Sequence, residues 1–469
     1  MFSPRNKPWW KRLDGMAVFL FVVGGSFLNG LNQQRSLGLF MIAALFLSNG
    51  FPGPALFRRL SPIPPELWCY AAWVAWAGLT GMFVAENMPY FMAGMWKIGQ
   101  MLVMVWTAYA ILRLSAGTWI VLLAIVVGGM LQIHAVLSSG FSLLQILDPA
   151  VRQTGMTQNA NVLGSSMVWT LVSLAALWPV AQKRQWIRRI FILALIPVTG
   201  FVVLASGSRK AFTAWCFVFA AWSVFGLTHN RGAKLSQMVS RGLMFLLLGS
   251  VGSFGFPLVM EYTPVGSRFG TLVDRGGGSA VVGMEEDIRH EMYQEGWKMF
   301  WSSPVVGVGW SQFRVKFWAG LYSHSDYMEP LATTGLVGFV LYQAFYFILL
   351  RRIWRLLSRA QIDEDVYRLK VMLIGLGAIL LLGVGAPHFQ SLNVYMLLVT
   401  FSCFTWRLMN SAVPRWSRAM PLPPAFGNAW LPLPGGAGAD VPRVSRPGFG
   451  EAGPIQNPLA GLPSRRDKG

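Results

Sequence analysis

Charge is what this sequence has least of. Only 12% of its 469 residues are Asp, Glu, Lys or Arg, about half the share found in soluble domains, which excludes two or three domains standing in water. Cysteine is scarce as well. Cys69, Cys216 and Cys403 all fall inside apolar runs, so neither a disulfide framework nor a zinc knuckle is on offer. No His, Asp or Glu cluster has metal-ligand spacing, and His324 with Asp326 is too weak a pair to make one. The sequence therefore implies no metal and no cofactor. Disorder over most of the length is excluded too, because 32 Phe and 21 Trp supply far more apolar side chain than an unfolded chain tolerates.

What is abundant is apolar sequence. Hydrophobic residues reach 54% and the mean hydropathy is +0.48, which reads as an all-α, polytopic membrane bundle. Runs long enough to cross a bilayer centre on 14–31, 36–52, 67–85, 91–112, 117–139, 160–181, 190–207, 210–228, 242–261, 327–350, 371–387 and 391–408, about twelve spans. Residues 1–13 carry Arg5, Lys7, Lys11 and Arg12 without a cleavage pattern, so the first span is expected to stay and the N-terminus to be cytoplasmic. By alternation, most of the 39 basic residues then fall on the cytoplasmic side. The formal charge of +20 is a positive-inside signature, which removes the reason to propose nucleic acid and leaves anionic membrane lipid as sufficient. The expected layout is a cytoplasmic segment 1–13, nine spans over 14–261, a periplasmic loop 262–326, three spans over 327–408, and a disordered Pro/Gly/Arg-rich cytoplasmic tail 409–469.

A loop as long as 262–326 is uncommon without a function. It opens with a Gly-rich stretch, Gly266 to Gly283, and turns helical at Glu285, where Glu285, Glu286 and Asp287 suit a helix N-terminus. Arg289, Met292, Tyr293, Gly296, Trp297 and Phe300 then recur on one helical face up to Pro304. An arginine on an apolar face is costly unless paired. Arg289 is either an ion pair with a carboxylate such as Glu291 or Asp326, or an anion site open until substrate arrives. His324, in Ser323-His324-Ser325-Asp326 at the mouth of the next span, is either a proton acceptor or an interfacial histidine bonded to neighbouring acids. Ser206-Gly207-Ser208-Arg209-Lys210 places positive charge on the outer side, against the trend. Its Gly/Ser turn with Arg209 suits phosphate oxygens, while snorkelling to lipid headgroups is the plain alternative. The amides of Arg152 to Asn161 suit sugar hydroxyls, although capping by Asn159 explains them as well. Lys97 and His134 lie within spans and find no partner pattern. Together these features suit an anionic, lipid-linked substrate whose head carries diphosphate and sugars.

In this order the residues resemble the bacterial O-antigen ligase and polysaccharide polymerase family of membrane glycosyltransferases. The resemblance runs from Thr154-Gly155 to Asn161, through Gly207-Ser208-Arg209, to Arg289, Tyr293, Trp297 and the Ser303-Pro304 to Gly309 turn, and ends at His324 and Gly335-Leu336-Val337-Gly338. It implies a metal-independent, inverting transfer of a glycan from undecaprenyl diphosphate to lipid A-core or to another growing chain. Arg209 and Arg289 would neutralise the diphosphate and His324 would activate the acceptor hydroxyl. Arg152, Asn159, Asn161, Tyr293, Trp297 and Asp326 are the expected substrate contacts. Further polysaccharide assembly proteins are candidate partners, and the inner membrane with a periplasmic active face is the expected location. Two departures stand out. Ser325 follows His324 where the family commonly has Asn, and Lys210 stands where Gly is common. They bear on acceptor and subfamily, not on reaction class.

Two other classes fit twelve spans. A transporter or flippase for lipid-linked sugars needs a polar central path and often broken helices. A scaffold of an envelope assembly complex would make the tail matter more than the loop.

Overall fold

The computed structural model describes residues 12–27, 31–49, 58, 60–114, 117–139, 152–157, 159–178, 185–226, 259, 261–263, 265–266, 280–360 and 362–411. Among them there are helices and no strands. In chain order the helices of more than one or two turns are α1 (Leu13–Phe27), α2 (Leu31–Asn49), α3 (Pro65–Val84), α4 (Met88–Leu114), α5 (Trp119–Ser138), α6 (Ala160–Ala176), α7 (Trp186–Ser206), α8 (Arg209–Ala221), α9 (Ala280–Ser302), α10 (Met328–Arg359), α11 (Asp363–Gly383) and α12 (Leu392–Ser411).

Seven of the described helices are long and apolar enough to cross a membrane: α3, α4, α5, α7, α10, α11 and α12. At 1.5 Å per residue, about twenty residues match a hydrocarbon core about 30 Å thick. The apolar stretches within α1 and α2, and α6 itself, are shorter. Nearly all of the apolar run 242–261 and the tail beyond 411 lie outside the described residues, as does most of the Gly-rich stretch. Where the sequence suggested a helix from Glu285, α9 already begins at Ala280, so the three acids stand inside it.

The helices are stitched by apolar packing. α10 lies along α3, α1 along α5 and α2, and α6 along α7 and α5. Between α3, α10 and α12 a column of aromatic rings fills the core. Tyr70 meets Tyr395 at 4.9 Å and Trp73 meets Tyr342 at 4.8 Å. The column continues edge-on from Trp73 to Trp310 at 5.1 Å, and from Trp310 to Phe389 at 4.9 Å. Edge-to-face pairs at such spacings each add about 0.5–1.5 kcal/mol beyond burial. They also carry the loop residue Trp310 into the bundle.

α10 breaks at Gly335, whose φ of 65° and ψ of −171° are not helical. A break orphans carbonyls that a membrane cannot solvate. Here they find donors: Val308 N–H reaches Ala332 O and Gly309 N–H reaches Thr333 O, both at 3.0 Å, and Trp76 Nε1 reaches Thr334 O at 3.0 Å. The fit is close on both sides. A Cβ on Gly335 would lie 2.3 Å from Val305 O, and one on Gly307 2.4 Å from the Thr333 carbonyl carbon. Those contacts explain why the Ser303 to Gly309 turn and Gly335 occur together in the sequence.

Candidate functional site

Consecutive helices bring alternate ends to one side of the bundle, and a cavity of about 560 Å3 opens there. The end of α1 (Ser26), the starts of α2 (Arg35), α6 (Asn159, Asn161) and α8 (Lys210), the first half of α4 (Lys97, Gln100) and the link between α11 and α12 (His388 to Asn393) all line it, together with His324.

The motifs that are far apart in sequence meet at the C-terminal end of α11. A helix end leaves carbonyls without intrahelical partners, and three successive ones are used here. Gly383 O accepts from Asp326 N–H at 2.8 Å, Val384 O from the Tyr293 hydroxyl at 2.6 Å, and Gly385 O from Lys210 Nζ at 2.6 Å. α8, α9 and the His324 segment are thereby tied to one turn of chain.

His324 is held in an unusual conformation. Its φ of 52° lies in the left-handed region, uncommon for any residue with a side chain and kept only where the surroundings hold it. The anchors are on either side. Ser323 N–H donates to Glu329 Oε2 at 2.8 Å, and Ser325 Oγ accepts from Tyr327 and Met328 N–H at 3.3 Å each. Asp326, only 3% exposed, takes the Tyr342 hydroxyl and His388 N–H on Oδ1 at 2.8 and 2.7 Å, and the Tyr346 hydroxyl on Oδ2 at 3.2 Å. Burial pushes the Asp326 carboxyl above its ordinary range, and the donors on it oppose that shift. The imidazole of His324 itself opens on the cavity and makes no hydrogen bond among the described residues. Burial, then the charges of Lys210 and Arg289, hold its pKa below the ordinary histidine value. A neutral imidazole at neutral pH is a proton acceptor.

Of the residues singled out in the sequence, His324, Asn159 and Asn161 line the cavity. Asn159 does both jobs considered for it. Its side-chain oxygen caps α6 by accepting from Asn161 and Val162 N–H at 2.9 and 3.4 Å, which leaves its amide N–H2 for a ligand. Arg289 stands beside the cavity, close enough to Lys210 and His324 for their charges to interact. Among the described residues no carboxylate pairs with it, and Glu291, one suggested partner, instead accepts from Trp318 Nε1 at 3.0 Å.

The others are placed elsewhere. Arg152 Nε donates to Ser206 O at 3.2 Å, bracing the turn that precedes Arg209. Arg209 is half-buried and does not line the cavity; its neighbour Lys210 does. Adjacent helical residues point about 100° apart, and here it is Lys210 that faces inward. Tyr293 spends its hydroxyl on Val384. Trp297 is 47% exposed, and the packed face of α9 is Met292, Gly296, Met299 and Phe300. Asp326 faces the bundle and bolts the His324 segment in place; with three donors already on its buried oxygens it has no surface to offer a sugar.

Nothing in the sequence pattern gives Lys97 a partner, and Arg35 and Gln100 carry no signal of their own. The signal available for Lys97 was a lysine well inside a span, where ionisable residues are functional by default. His134 is exposed and away from the cavity. Among the described residues no Asp or Glu lines the cavity, and no three His, Cys, Asp or Glu side chains gather as a metal site. The arrangement can hold an anion against Lys210 and Arg289, bond sugar hydroxyls through amides, and accept a proton at His324.

A search of curated proteins gave no match. Residues 190–343 match the family model described as O-Antigen ligase, a stretch that reaches from α7 into α10 and contains Arg209, Lys210, Arg289 and His324. Over this stretch the chain is similar to O-antigen ligases, which supports the resemblance to the O-antigen ligase and polysaccharide polymerase family.

Proposed function

We propose that this chain transfers a glycan from an undecaprenyl diphosphate carrier to an acceptor hydroxyl at the periplasmic face of a bacterial inner membrane. The observation that carries this reading is the meeting of Lys210, Tyr293 and the His324 segment on Gly383, Val384 and Gly385, beside a cavity that the described residues line with cations and amides and no carboxylate.

The diphosphate lies against Lys210 and Arg289, with Arg209 on the adjoining turn, and Asn159 and Asn161 bond the sugar. The imidazole of His324 takes the proton of the acceptor hydroxyl. That oxygen forms its bond to the anomeric carbon as the bond from this carbon to the diphosphate oxygen breaks, and the carrier diphosphate leaves with the electron pair. Displacement from the opposite face inverts the anomeric centre. Charge grows on the leaving oxygen along this path, so fixed cations lower the barrier more than they hold the ground state. A positioned base contributes roughly 100- to 10,000-fold. The chain's own cations supply the countercharge, so transfer proceeds in EDTA.

Orientation rests on charge. Arg12, Arg113, Arg188, Arg368 and Arg407 stand at the helix ends away from the cavity, which favours that end as cytoplasmic. In this layout 1–13 and 409–469 are cytoplasmic, 14–261 and 327–408 carry about twelve spans, and 262–326 is the periplasmic loop. A transporter would use a broken helix for its exposed carbonyls. The carbonyls freed at Gly335 are already taken by Val308, Gly309 and Trp76.

Arg289→Ala or His324→Ala in the native host, at unchanged membrane levels, is expected to abolish the polymer or ligated glycan. Full product in either variant would remove the catalytic assignment. The lipid-linked pool then separates the two activities: loss of a ligase leaves lipid-linked polymer, and loss of a polymerase leaves single repeat units.

A further inference from the structure

The cavity holds more positive charge than a carrier diphosphate needs. A diphosphate diester brings two negative charges, and Lys210 with Arg289 already meets them. Arg35 of α2 and Lys97 of α4 face the same space. They are not the cations that act on His324, which are Lys210 and Arg289.

Lys97, Gln100, Met101 and Met104 all line the cavity at i, i+3, i+4 and i+7, one face of α4. In the amide orientation that satisfies both neighbours, the Gln100 oxygen accepts from Arg35 Nε at 3.3 Å and from Trp96 Nε1 at 3.0 Å. Gln100 thus fixes the guanidinium of Arg35 from one side. Among the described residues Lys97 has no hydrogen bond or ion pair, and none of those that line the cavity is acidic. An ammonium between membrane helices, as that of Lys97 is, stays costly until an anion meets it. Arg352, the buried arginine of this bundle, has its anion built in as Glu66.

We propose that Arg35 and Lys97 form a second anion subsite, which takes a carboxylate or phosphate ester carried by a glycan substrate. This rests on the transferase reading, and it narrows the substrates of that reaction to those in which the transferred or the receiving sugar is acidic. Either source presents the same chemistry: oxygens of delocalised negative charge, matched by a guanidinium and an ammonium.

The test reads binding rather than turnover, with the full-length chain in nanodiscs. Four probes are compared in two pairs. One pair is a polyprenyl diphosphate trisaccharide, neutral or ending in glucuronate. The other is a free trisaccharide, neutral or bearing a phosphate monoester. The acidic member of at least one pair should bind about tenfold more tightly, a difference of about 1.4 kcal/mol. That ratio should fall towards one in Arg35→Gln and in Lys97→Gln, and be kept in large part by Arg35→Lys and Lys97→Arg. Preference in the lipid pair assigns the acid to the donor, and preference in the free pair assigns it to the acceptor.

Absence of any acid preference in the unmodified chain overturns the proposal, a result that no folding defect can produce. So does a preference that survives both glutamine variants. Equal weakening of neutral and acidic lipids by those variants also overturns it, because Arg35 and Lys97 would then serve the diphosphate. An intact acid preference with no glycan transfer under any condition would sink the transferase reading and leave the subsite standing.

Discussion

Arg352 and Lys210 are both cations held between helices, at opposite ends of the bundle, and they are treated in opposite ways. Arg352, 6% exposed, grips the buried Glu66 with both guanidinium branches. Ser402 donates to the same carboxylate at 2.5 Å, and the Trp406 ring lies 4.8 Å from the guanidinium carbon. Lys210 has a backbone carbonyl for a partner, faces a cavity that no described residue lines with an acid, and repels Arg289. The first arrangement is complete in itself and spends its charge on joining α3, α10 and α12. The second is incomplete until something negative arrives. In a bundle so poor in charge, the difference between a matched and an unmatched cation separates what holds the fold from what awaits a ligand.

The comparison can be broken first at its paired end. Glu66→Ala leaves Arg352 buried without its anion, and such losses typically cost about 3–5 kcal/mol. A large fall in melting temperature is expected, while the transfer rate per folded molecule stays close to that of the parent. Replacing both partners, Glu66→Leu with Arg352→Leu, should recover most of the stability. If the single change leaves the melting temperature in place, the pair is not what secures that end.

At the cavity end the sign of the effect reverses. Arg289→Gln should lower kcat by about 100-fold, as loss of one group aimed at developing negative charge does elsewhere, with the melting temperature almost unchanged. A variant that melts early and transfers normally would place Arg289 among structural residues. Between these two stands the interlock at the break in α10. Gly335→Ala forces a side chain onto a left-handed φ and into Val305 O, at an expected cost of about 1–3 kcal/mol, visible as a lower melting temperature. Unchanged stability would show that the turn can give way.

The smallest effect concerns protons. Because burial, Lys210 and Arg289 depress the basicity of His324, kcat/KM should stay level through neutral pH and fall only below the ordinary imidazole value of about 6.5. Lys210→Gln removes one repelling charge, so the pKa of His324 rises. The acidic limb of the profile should then move to higher pH by a fraction of a unit. A limb that stays put, or moves down, would separate Lys210 from the base.

Much of the bundle was legible because bilayer spans advertise themselves. Apart from 242–261, each apolar run named from the sequence overlaps a helix, since about twenty apolar residues in a row have few other options. The cap at Asn159 and the paired glycines at Gly307 and Gly335 were legible for a similar reason, as local chemistry expressed in local residues. The site was legible only in part. Arg209 and Lys210 are adjacent, and only the packing of α8 turns Lys210 rather than Arg209 to the cavity. Asp326 looked like a partner for His324 or a sugar because it is two residues away, but Tyr342, Tyr346 and His388 claim it from other elements. The packed face of α9 uses Met299 where Trp297 was expected. Arg35 and Lys97 join His324 through packing of α2 and α4 alone, which no spacing along the chain encodes. Ser325 marks the opposite case. It differs from the Asn common in the family it resembles, yet it accepts from the first N–H groups of α10, a role that Ser and Asn fill equally.

The measurement that tests the central claim most directly is transfer by the purified full-length chain in nanodiscs, with EDTA present, from a polyprenyl diphosphate glycan to an oligosaccharide acceptor, read by mass spectrometry as a new glycosidic product. The predicted result is product from the parent chain, and a loss of roughly 100-fold or more in His324→Ala while that variant still binds the lipid. Undiminished product from His324→Ala would contradict the assignment of the base. A parent chain that binds the lipid and moves it between leaflets, yet forms no glycosidic bond with any acceptor, would contradict the claim as a whole.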